Sequence, residues 1–329
     1  DLAPGRSLVE YLVRGGQQVF MVSWRNPDAR HAGWGLDTYV TEVLGALDAV
    51  QRVSGASQAA MVGACAGGII ASVTAAHLAA TGQQDRLAAF ALLVTVLDTV
   101  QAGTTGALVD RRLAAAAKAM SARRGYLDGR ALAEVFAWLR PGDLIWNYWV
   151  NNYLLGKKPP AFDVLFWNAD TTRMTARLHA DFVDLAMDNK LVTPGALTVL
   201  GTVIDVSGVA TDAYLVAGIA DHITPWQNCY RSTQLLGGKS RFILSTSGHI
   251  AALVNPPGNP KARYQANNDT PADAAEWLRT AETQQGSWWP DLLAWLGDRC
   301  GGQVPAPGEP GGGGLRPITD APGTYVFDT

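Results

Sequence analysis

The hydrophobic positions alternate between short unbroken runs and longer helical repeats. Unbroken apolar runs predict buried strands at residues 17–24, 59–62 and 88–97. Between the first two runs, apolar residues recur at helical spacing over 38–53, and a strongly apolar helix is predicted over 66–80. Strands that alternate with helices in this way indicate a mostly parallel sheet covered on both faces, an α/β fold.

The middle of the chain breaks this rhythm. Helices are predicted at residues 113–120, 132–139 and about 175–188, and an aromatic, asparagine-rich stretch lies at 144–153. Because no strand alternates with these helices, we predict a mostly helical insertion. Strand-like runs then resume, and they are followed by a Trp-rich helix. These later elements lie at 197–199, 213–217, 241–244 and 287–296.

These patterns predict a core interrupted by one insertion. The core is expected to comprise residues 1–98 and 196–300. Residues 99–195 form the insertion, which we interpret as a lid or cap. Residues 301–329 are rich in Gly and Pro at their start, and they predict a linker followed by a C-terminal tail.

Composition excludes several function classes. Of 329 residues, 48% are hydrophobic and 17% charged, with a net charge of −3, so the chain is neither disordered nor a basic nucleic-acid binder. No apolar run reaches the ~20 residues of a membrane span, and no signal peptide is visible. The three cysteines, Cys65, Cys229 and Cys300, are widely spaced and form no CxxC. This pattern favours a reducing compartment over a disulfide framework or a zinc site.

The sharpest local signal lies at residues 63–68, which read Gly-Ala-Cys-Ala-Gly-Gly between a predicted strand and a predicted helix. This is the pattern of a nucleophile elbow with cysteine as the nucleophile. Small flanking residues permit a strained turn that projects Cys65 above the sheet, while the Ala66 amide faces a developing oxyanion. The alternative is a buried structural cysteine, since free cysteine often packs in cores.

An elbow requires an acid and a histidine base later in the chain. Asp221 follows the predicted strand at 213–217, and His249 follows the predicted strand at 241–244. Ligands of an open α/β sheet bind at the carboxyl ends of its strands, so these two side chains are expected beside Cys65. Order, placement and chemistry together predict a Cys65–His249–Asp221 triad.

Four further residues are candidates for the wall of a substrate channel. His222 and Trp226 lie in the segment after the predicted acid, and Trp146 and Tyr148 lie in the aromatic stretch. The alternative for His222 is a histidine packed within its loop, and the alternative for the aromatic stretch is the core of the lid. No H-E-x-x-H, EF-hand or Gly-x4-Gly-Lys-Ser/Thr motif occurs, so we predict no metal and no phosphate-binding loop. The other two cysteines are expected to be passive thiols.

Several longer motifs together resemble the polyhydroxyalkanoate (PHA) synthase family, and the resemblance covers nearly the whole chain. The motifs lie at residues 23–27 (SWRNP), 63–68, 140–148, 166–170, 221–226 (DHITPW), 247–250 and 255–257. Further similarities favour the subgroup that handles medium-chain monomers. They lie at residues 149–156, 229–232 and 321–326.

The resemblance implies an α/β-hydrolase-type domain with a lid that polymerises (R)-3-hydroxyacyl-CoA into a storage polyester with CoA release. The family's nucleophile, acid and base match Cys65, Asp221 and His249. The resemblance implies no cofactor, because coenzyme A is part of the substrate and a product. It further implies a homodimer, and a cytoplasmic enzyme on polyester granules. Whether Asp221 activates the incoming hydroxyl or only orients His249 stays open.

One departure from the family bears on activity. Family members carry an N-terminal domain, then a strand and a loop, before the segment that matches Asp1 and Leu2. In α/β hydrolases that loop supplies the second oxyanion-hole amide. We therefore expect an N-terminally truncated fragment whose sheet lacks its leading strands and which is poorly active alone.

Two other functions are compatible with these patterns. The first is a thioesterase or polyester hydrolase on the same scaffold, and the second is a non-catalytic granule-surface protein. Hydrolases of this fold more often use serine as the nucleophile, and the motifs of the insertion favour the polymerase. A polymerase must also keep water out, and an apolar lid over residues 99–195 is the expected device. The complete triad pattern argues against a protein without catalysis.

Overall fold

The computed structural model describes residues 3–100, 110–131, 133–134, 146, 149–158 and 170–328. Its α-helices are α1 (Leu8–Arg14), α2 (Leu36–Ser54), α3 (Ala66–Ala80), α4 (Arg111–Arg124), α5 (Ala176–Met187), α6 (Trp226–Leu235), α7 (His249–Leu253), α8 (Ala274–Thr280) and α9 (Trp289–Gly297). Its strands are β1 (Ala59–Ala64), β2 (Leu87–Leu93), β3 (Tyr126–Leu127), β4 (Met174–Thr175), β5 (Thr198–Val199), β6 (Thr202–Val203), β7 (Ala213–Gly218), β8 (Ser240–Ser245), β9 (Arg263–Ala266) and β10 (Glu282–Gln285).

A six-stranded sheet in the order β1-β2-β7-β8-β9-β10 forms the centre of the molecule. The pairs β1–β2, β2–β7 and β7–β8 are parallel, whereas β9 and β10 run antiparallel to their neighbours. In register, Gly63 lies opposite Leu92, which in turn lies opposite Leu215. The four parallel strands therefore end at one edge of the sheet, where Cys65, Asp221 and His249 follow β1, β7 and β8.

The central strands are buried on both faces, which explains their unbroken apolar runs. On β2, Phe90 and Leu92 point into a core cluster that also takes side chains from α2, α3 and α6. Ala91 and Leu93 point to the opposite face, where they meet α1 and the Trp-rich helix α9. Successive residues of a strand face opposite sides, so each strand contributes to both clusters.

Most predicted core elements are confirmed, and three strand predictions need correction. Residues 17–24, predicted as a strand, form none, because the segment makes no ladder with β1 and Met21 is 60% exposed. The predicted strand at 88–97 ends at Leu93. Residues 198–199 pair with β6 in a separate hairpin instead of joining the central sheet. An apolar run specifies a buried segment, but a strand also needs a partner for its backbone groups.

Within the insertion, the described residues are mostly helical, as predicted. Helices α4 and α5 pack together, and the two-residue strands β3 and β4 pair beside their ends. The aromatic stretch contains a π-helical segment, Trp149–Leu154, in which the rings of Trp149 and Tyr153 stack with centroids 4.4 Å apart. The predicted helix at 132–139 lies largely outside the described residues. That this insertion acts as a lid stays a prediction.

The glycine-rich run after the core is seated against the end of α2. A Cβ on Gly313, whose φ is +55°, would lie 2.1 Å from the carbonyl oxygen of Arg52. The Arg52 guanidinium in turn donates to the Gly313 carbonyl at 3.1 Å. Only glycine combines this backbone conformation with so close an approach. Further along, Asp328 pairs with Arg25 at 2.7 Å, so the tail contacts the core at both ends.

Candidate active site

The turn between β1 and α3 has the strained geometry of a nucleophile elbow. Cys65 has a φ of 49° and a ψ of −120°, in the region that non-glycine residues rarely occupy. A Cβ on Gly63 would lie 2.7 Å from the Gly68 Cα, and a Cβ on Gly68 would lie 1.9 Å from the Thr95 hydroxyl oxygen. The flanking glycines are therefore required by contact as well as by the sequence pattern.

Helix α3 begins directly after Cys65, which occupies its N-cap position. The Cys65 amide donates to the Leu93 carbonyl at 2.9 Å, and the Cys65 carbonyl accepts from Gly68 at 2.9 Å. The first bond ties the turn to the end of β2, and the second joins it to the first turn of α3. Ala66 is the first helical residue, so its amide belongs to the first turn, whose N–H groups have no partner inside the helix.

The structure brings the predicted acid and base together. Asp221 lies in the turn after β7, and His249 opens α7 after β8. The Nδ1 atom of His249 lies 2.6 Å from Oδ2 of Asp221, and their side chains are 15% and 0% exposed. The Cys65 thiol also interacts with the imidazole, and this interaction favours the protonated ring and raises the pKa of His249. All three predicted side chains thus meet at the carboxyl edge of the sheet.

The electrostatics of the pair favour a charged imidazolium beside a carboxylate. Burial alone would lower the pKa of His249, but the hydrogen bonds to Asp221 and Cys65 outweigh it and raise that pKa to about 9. Burial alone would likewise raise the pKa of Asp221, yet hydrogen bonds from His249 and Thr224 lower it. His249 can therefore hold a proton firmly near neutral pH.

Thr224 is the site residue that the sequence reasoning missed. Its hydroxyl lies 2.6 Å from Oδ2 of Asp221 and 3.2 Å from Nδ1 of His249. The available signal was a hydroxyl residue three positions after an aspartate in a turn, a spacing at which side chains commonly bond nearby groups.

The four substrate-channel candidates differ from one another in burial and in what the structure describes of them. Trp226 is buried and packs in the core against Trp277, with ring centroids 6.4 Å apart. His222 is half-buried, and Trp146 is 54% exposed. Tyr148 lies outside the described residues. A channel lined by these side chains stays a prediction.

Cys229 lies close to the site without belonging to the predicted chemistry. It is buried on α6, and its thiol donates to the Thr224 carbonyl at 3.7 Å. Burial, with the nearby charges of Asp221 and Cys65 in support, raises its pKa well above the ordinary value. A thiol in this environment stays protonated and unreactive.

The described part of the chain offers neither a membrane-spanning helix nor a cluster of metal ligands. Within it, no helix is both long and apolar enough to cross a membrane. In the same part of the chain, no group of three or more His, Cys, Asp or Glu side chains is arranged to hold a metal ion.

Residues 3–256 match the family model of the alpha/beta hydrolase fold. The chain therefore belongs to this family, and the predicted α/β-hydrolase-type, mostly parallel sheet is confirmed.

The curated relatives narrow the similarity further. The chain is 48% identical over 328 residues to poly(3-hydroxyalkanoate) polymerase 1 of Ectopseudomonas oleovorans, across 100% of this chain and 58% of that protein. It is 49% identical to polymerase 2 of the same organism, across 99% of this chain and 58% of that protein.

A more distant relative points the same way. The chain is 40% identical to the poly(3-hydroxyalkanoate) polymerase subunit PhaC of Cupriavidus necator, across 99% of this chain and 56% of that protein. The predicted resemblance to PHA synthases is thus confirmed along the whole chain, which spans somewhat more than half the length of these relatives.

Proposed function

We propose that this chain is the catalytic part of a polyhydroxyalkanoate polymerase, an acyltransferase that joins (R)-3-hydroxyacyl groups from coenzyme A thioesters into a polyester. One observation carries the proposal. The Asp221 carboxylate hydrogen-bonds the His249 imidazole, and the Cys65 thiol interacts with the same ring, at the carboxyl edge of the sheet. This arrangement supports nucleophilic catalysis by cysteine, and the names of the relatives support the substrate class.

In the loading step, the proton of the Cys65 thiol passes to His249, whose raised pKa favours a thiolate beside an imidazolium. The sulfur attacks the carbonyl carbon of the acyl-CoA, a new carbon–sulfur bond forms, and the bond to the CoA sulfur breaks. The imidazolium then returns the proton to the departing CoA thiolate. A thioester is exchanged for a thioester, so loading loses little free energy.

In the extension step, the 3-hydroxyl of another acyl unit attacks the Cys65 thioester. The hydroxyl oxygen bonds to the carbonyl carbon, the carbon–sulfur bond to Cys65 breaks, and the hydroxyl proton passes through His249 to the cysteine sulfur. The raised pKa of His249 suits it to accept that proton. During both attacks, the Ala66 amide at the start of α3 is a donor for the developing oxyanion.

We assign Asp221 to orienting His249 and not to activating the hydroxyl. Its side chain is fully buried, and Oδ1 already accepts from the amides of Ile223 and Thr224 at 2.8 and 3.0 Å. Oδ2 accepts from His249 and the Thr224 hydroxyl. Since both oxygens are occupied and shielded, a substrate hydroxyl reaches the imidazole first.

Water must be excluded, since a water molecule attacking the Cys65 thioester would make the enzyme a thioesterase. We propose that the insertion, residues 99–195, is the lid that does so. We further propose that the protein acts as a homodimer in the cytoplasm, at the surface of polyester granules. This part of the proposal rests on the family resemblance.

A single-turnover assay tests the assignment. The chain is mixed with (R)-3-hydroxyacyl-CoA, first with the chain in molar excess for a single turnover and then with the substrate in excess. CoA release and free acid are followed, and the mass of the intact protein is measured by mass spectrometry. We expect CoA release, an acyl adduct on the Cys65 peptide and insoluble polymer. Cys65→Ala should abolish all three, while Cys300→Ser, which changes the exposed cysteine, should retain them.

The other outcomes separate the alternatives. Free acid without polymer supports a thioesterase or polyester hydrolase. Absence of both CoA release and the adduct supports a protein without catalysis. An adduct that persists in Cys65→Ala overturns the nucleophile assignment.

A further inference from the structure

The buried carboxylate of Asp221 is surrounded by four hydrogen-bond donors. Two are backbone amides on Oδ1, and two are the Thr224 hydroxyl and His249 Nδ1 on Oδ2, each of the latter at 2.6 Å. A carboxylate has about four lone-pair positions, so the group is saturated. Thr224 supplies two of these four donors, one from its backbone and one from its side chain.

The Thr224 hydroxyl also lies 3.2 Å from His249 Nδ1. A hydroxyl has one proton and two lone pairs. Its proton is committed to Asp221, because a carboxylate accepts only, so a lone pair is left to face the imidazole N–H. The Nδ1 proton is therefore shared between Asp221 and Thr224, and Nε2 is left for the Cys65 thiol.

We propose that Thr224 is a positioning residue that holds His249 in the Nδ1-protonated orientation and holds Asp221 in its ionised form. The proposal rests on the proposed function for its role in acyl transfer. The geometry is independent of that function, because it concerns only how three side chains hold one another.

The environment of the cluster limits what else could set its titration. Among the described residues, the titratable groups Cys65 from the elbow and Cys229 from α6 interact with the cluster, and His222 is the chain neighbour of Asp221. None of these groups is altered when the Thr224 hydroxyl is removed. The Cys229 thiol is held neutral by burial, so it adds no charge across the working range. A change in the titration of His249 or Asp221 on removal of the Thr224 hydroxyl is therefore attributable to that hydroxyl.

The test replaces Thr224 by Val, which keeps the shape and removes the hydroxyl, and by Ser, which keeps the hydroxyl. The matched control is Thr74→Val, since Thr74 is equally buried but donates only to the Ile70 carbonyl within α3. All variants carry Cys300→Ser so that the exposed thiol consumes no reagent. The first readout is the rate of Cys65 alkylation by iodoacetamide against pH, measured on the Cys65 peptide. The second is the protonation state of His249, and above pH 9 the tautomer of the neutral ring, from NMR of the chain labelled with ¹⁵N-histidine.

We expect Thr224→Val to slow alkylation at the pH optimum about tenfold, the value of one hydrogen bond to a charged group. The acidic limb of the alkylation profile should move to higher pH by about one unit, because loss of a hydrogen-bond donor makes the Asp221 carboxylate easier to protonate. Thr224→Ser should stay within about threefold of the parent, and Thr74→Val should change only stability. If Thr224→Val proves unfolded, Thr224→Ala repeats the measurement without the added methyl.

Unchanged profiles and tautomer in a folded Thr224→Val or Thr224→Ala variant would overturn the proposal. Neither readout uses an acyl-CoA. A chain that fails to polymerise but shows the Thr224 effect would therefore contradict the proposed function and leave the positioning role standing. A chain that polymerises but shows no Thr224 effect would support the proposed function and contradict the positioning role of Thr224.

Discussion

Two buried aspartates follow neighbouring parallel strands, and they have different partners. Asp221 follows β7 and pairs with His249, whereas Asp98 follows β2 and pairs with Arg231, whose Nε lies 2.6 Å from Oδ2. Both carboxylates also accept from backbone amides nearby. The local chemistry of the acid is thus similar at the two sites. The difference lies in the partner, because histidine exchanges a proton near neutral pH and arginine does not.

The Asp98 cluster joins the two ends of the insertion to the core. Oδ1 of Asp98 accepts from the Asn189 side chain at 2.9 Å, and the Asn189 amide oxygen accepts from the Thr99 backbone at 2.9 Å. Asn228 on α6 donates to the Asp98 and Val100 carbonyls at 3.0 and 2.7 Å. The same helix α6 follows the Asp221 turn, so one element connects the aspartate that orients His249 with the aspartate that anchors the insertion.

The largest expected effect is on acyl transfer. Asp221→Asn keeps the shape of the side chain but removes the charge that orients His249, so loading of Cys65 should slow about 10³–10⁴-fold. The measurement is CoA release in the single-turnover assay, with urea unfolding to confirm that the chain is folded. Asp98→Asn is the matched variant and should lose far less activity. Equal losses of loading rate in both variants would contradict the separate roles assigned to the two aspartates.

The next effect concerns the pH dependence of stability. The pKa of His249 rises from its usual value of 6.5 to about 9 on folding, so the folded state favours the protonated ring. This stabilisation is present in full below pH 6.5 and is lost as the pH rises through 9. The difference in unfolding free energy between the parent and His249→Gln should therefore shrink by up to about 3 kcal/mol between pH 6 and pH 10.

The same measurement on Asp98→Asn sharpens the contrast. Its difference from the parent should stay flat over pH 6–10. Despite burial, hydrogen bonds from Val100, Asn189 and Arg231 lower the pKa of Asp98, so the carboxylate stays ionised over that range. A flat curve for His249→Gln, or a sloping one for Asp98→Asn, would contradict the assigned roles.

A moderate loss of stability is expected for Asp98→Asn at neutral pH. The Asp98 side chain is 3% exposed, but Arg231 is 43% exposed, so water screens part of the pair. We expect unfolding to become easier by about 2 kcal/mol, less than for a fully buried pair. Limited proteolysis should show earlier cleavage within residues 99–195, since the anchor of both ends is weakened. Cleavage confined to other regions would count against the anchoring role.

The smallest effect is expected at the tail. Arg25 and Asp328 form an ion pair at 2.7 Å, with 63% and 46% of their side chains exposed. Arg25→Ala should cost about 0.5 kcal/mol in urea unfolding, as for other exposed pairs. Arg14→Ala, which removes the exposed pair with Glu10, is the control of matched type. A cost above about 2 kcal/mol would show that tail contacts rival the buried Asp98 pair.

Local patterns determined much of the fold and of the candidate site. Apolar runs specified β1, β7 and β8, and helical periodicity over residues 38–53 specified α2, which spans Leu36–Ser54. Asp221 and His249 were predictable because side chains that follow parallel strands must meet at one edge of the sheet. In each case the deciding information lies within about ten consecutive residues, as hydrophobic spacing or as a turn that needs glycine.

Pairing between distant segments was decided only by the tertiary structure. Residues 17–24 have the apolar run of a strand but form no ladder, while the polar strand β10 exists because β9 lies beside it. Likewise, Asp98 and Arg231 are 133 residues apart, and the sequence around either residue does not indicate that the other is its partner. The contact of Thr224 with His249 is also made in three dimensions, across 25 residues. Hydrophobic pattern acts through burial, which is a property of a segment. A hydrogen bond needs a specific partner, and only the folded chain brings distant donors and acceptors together.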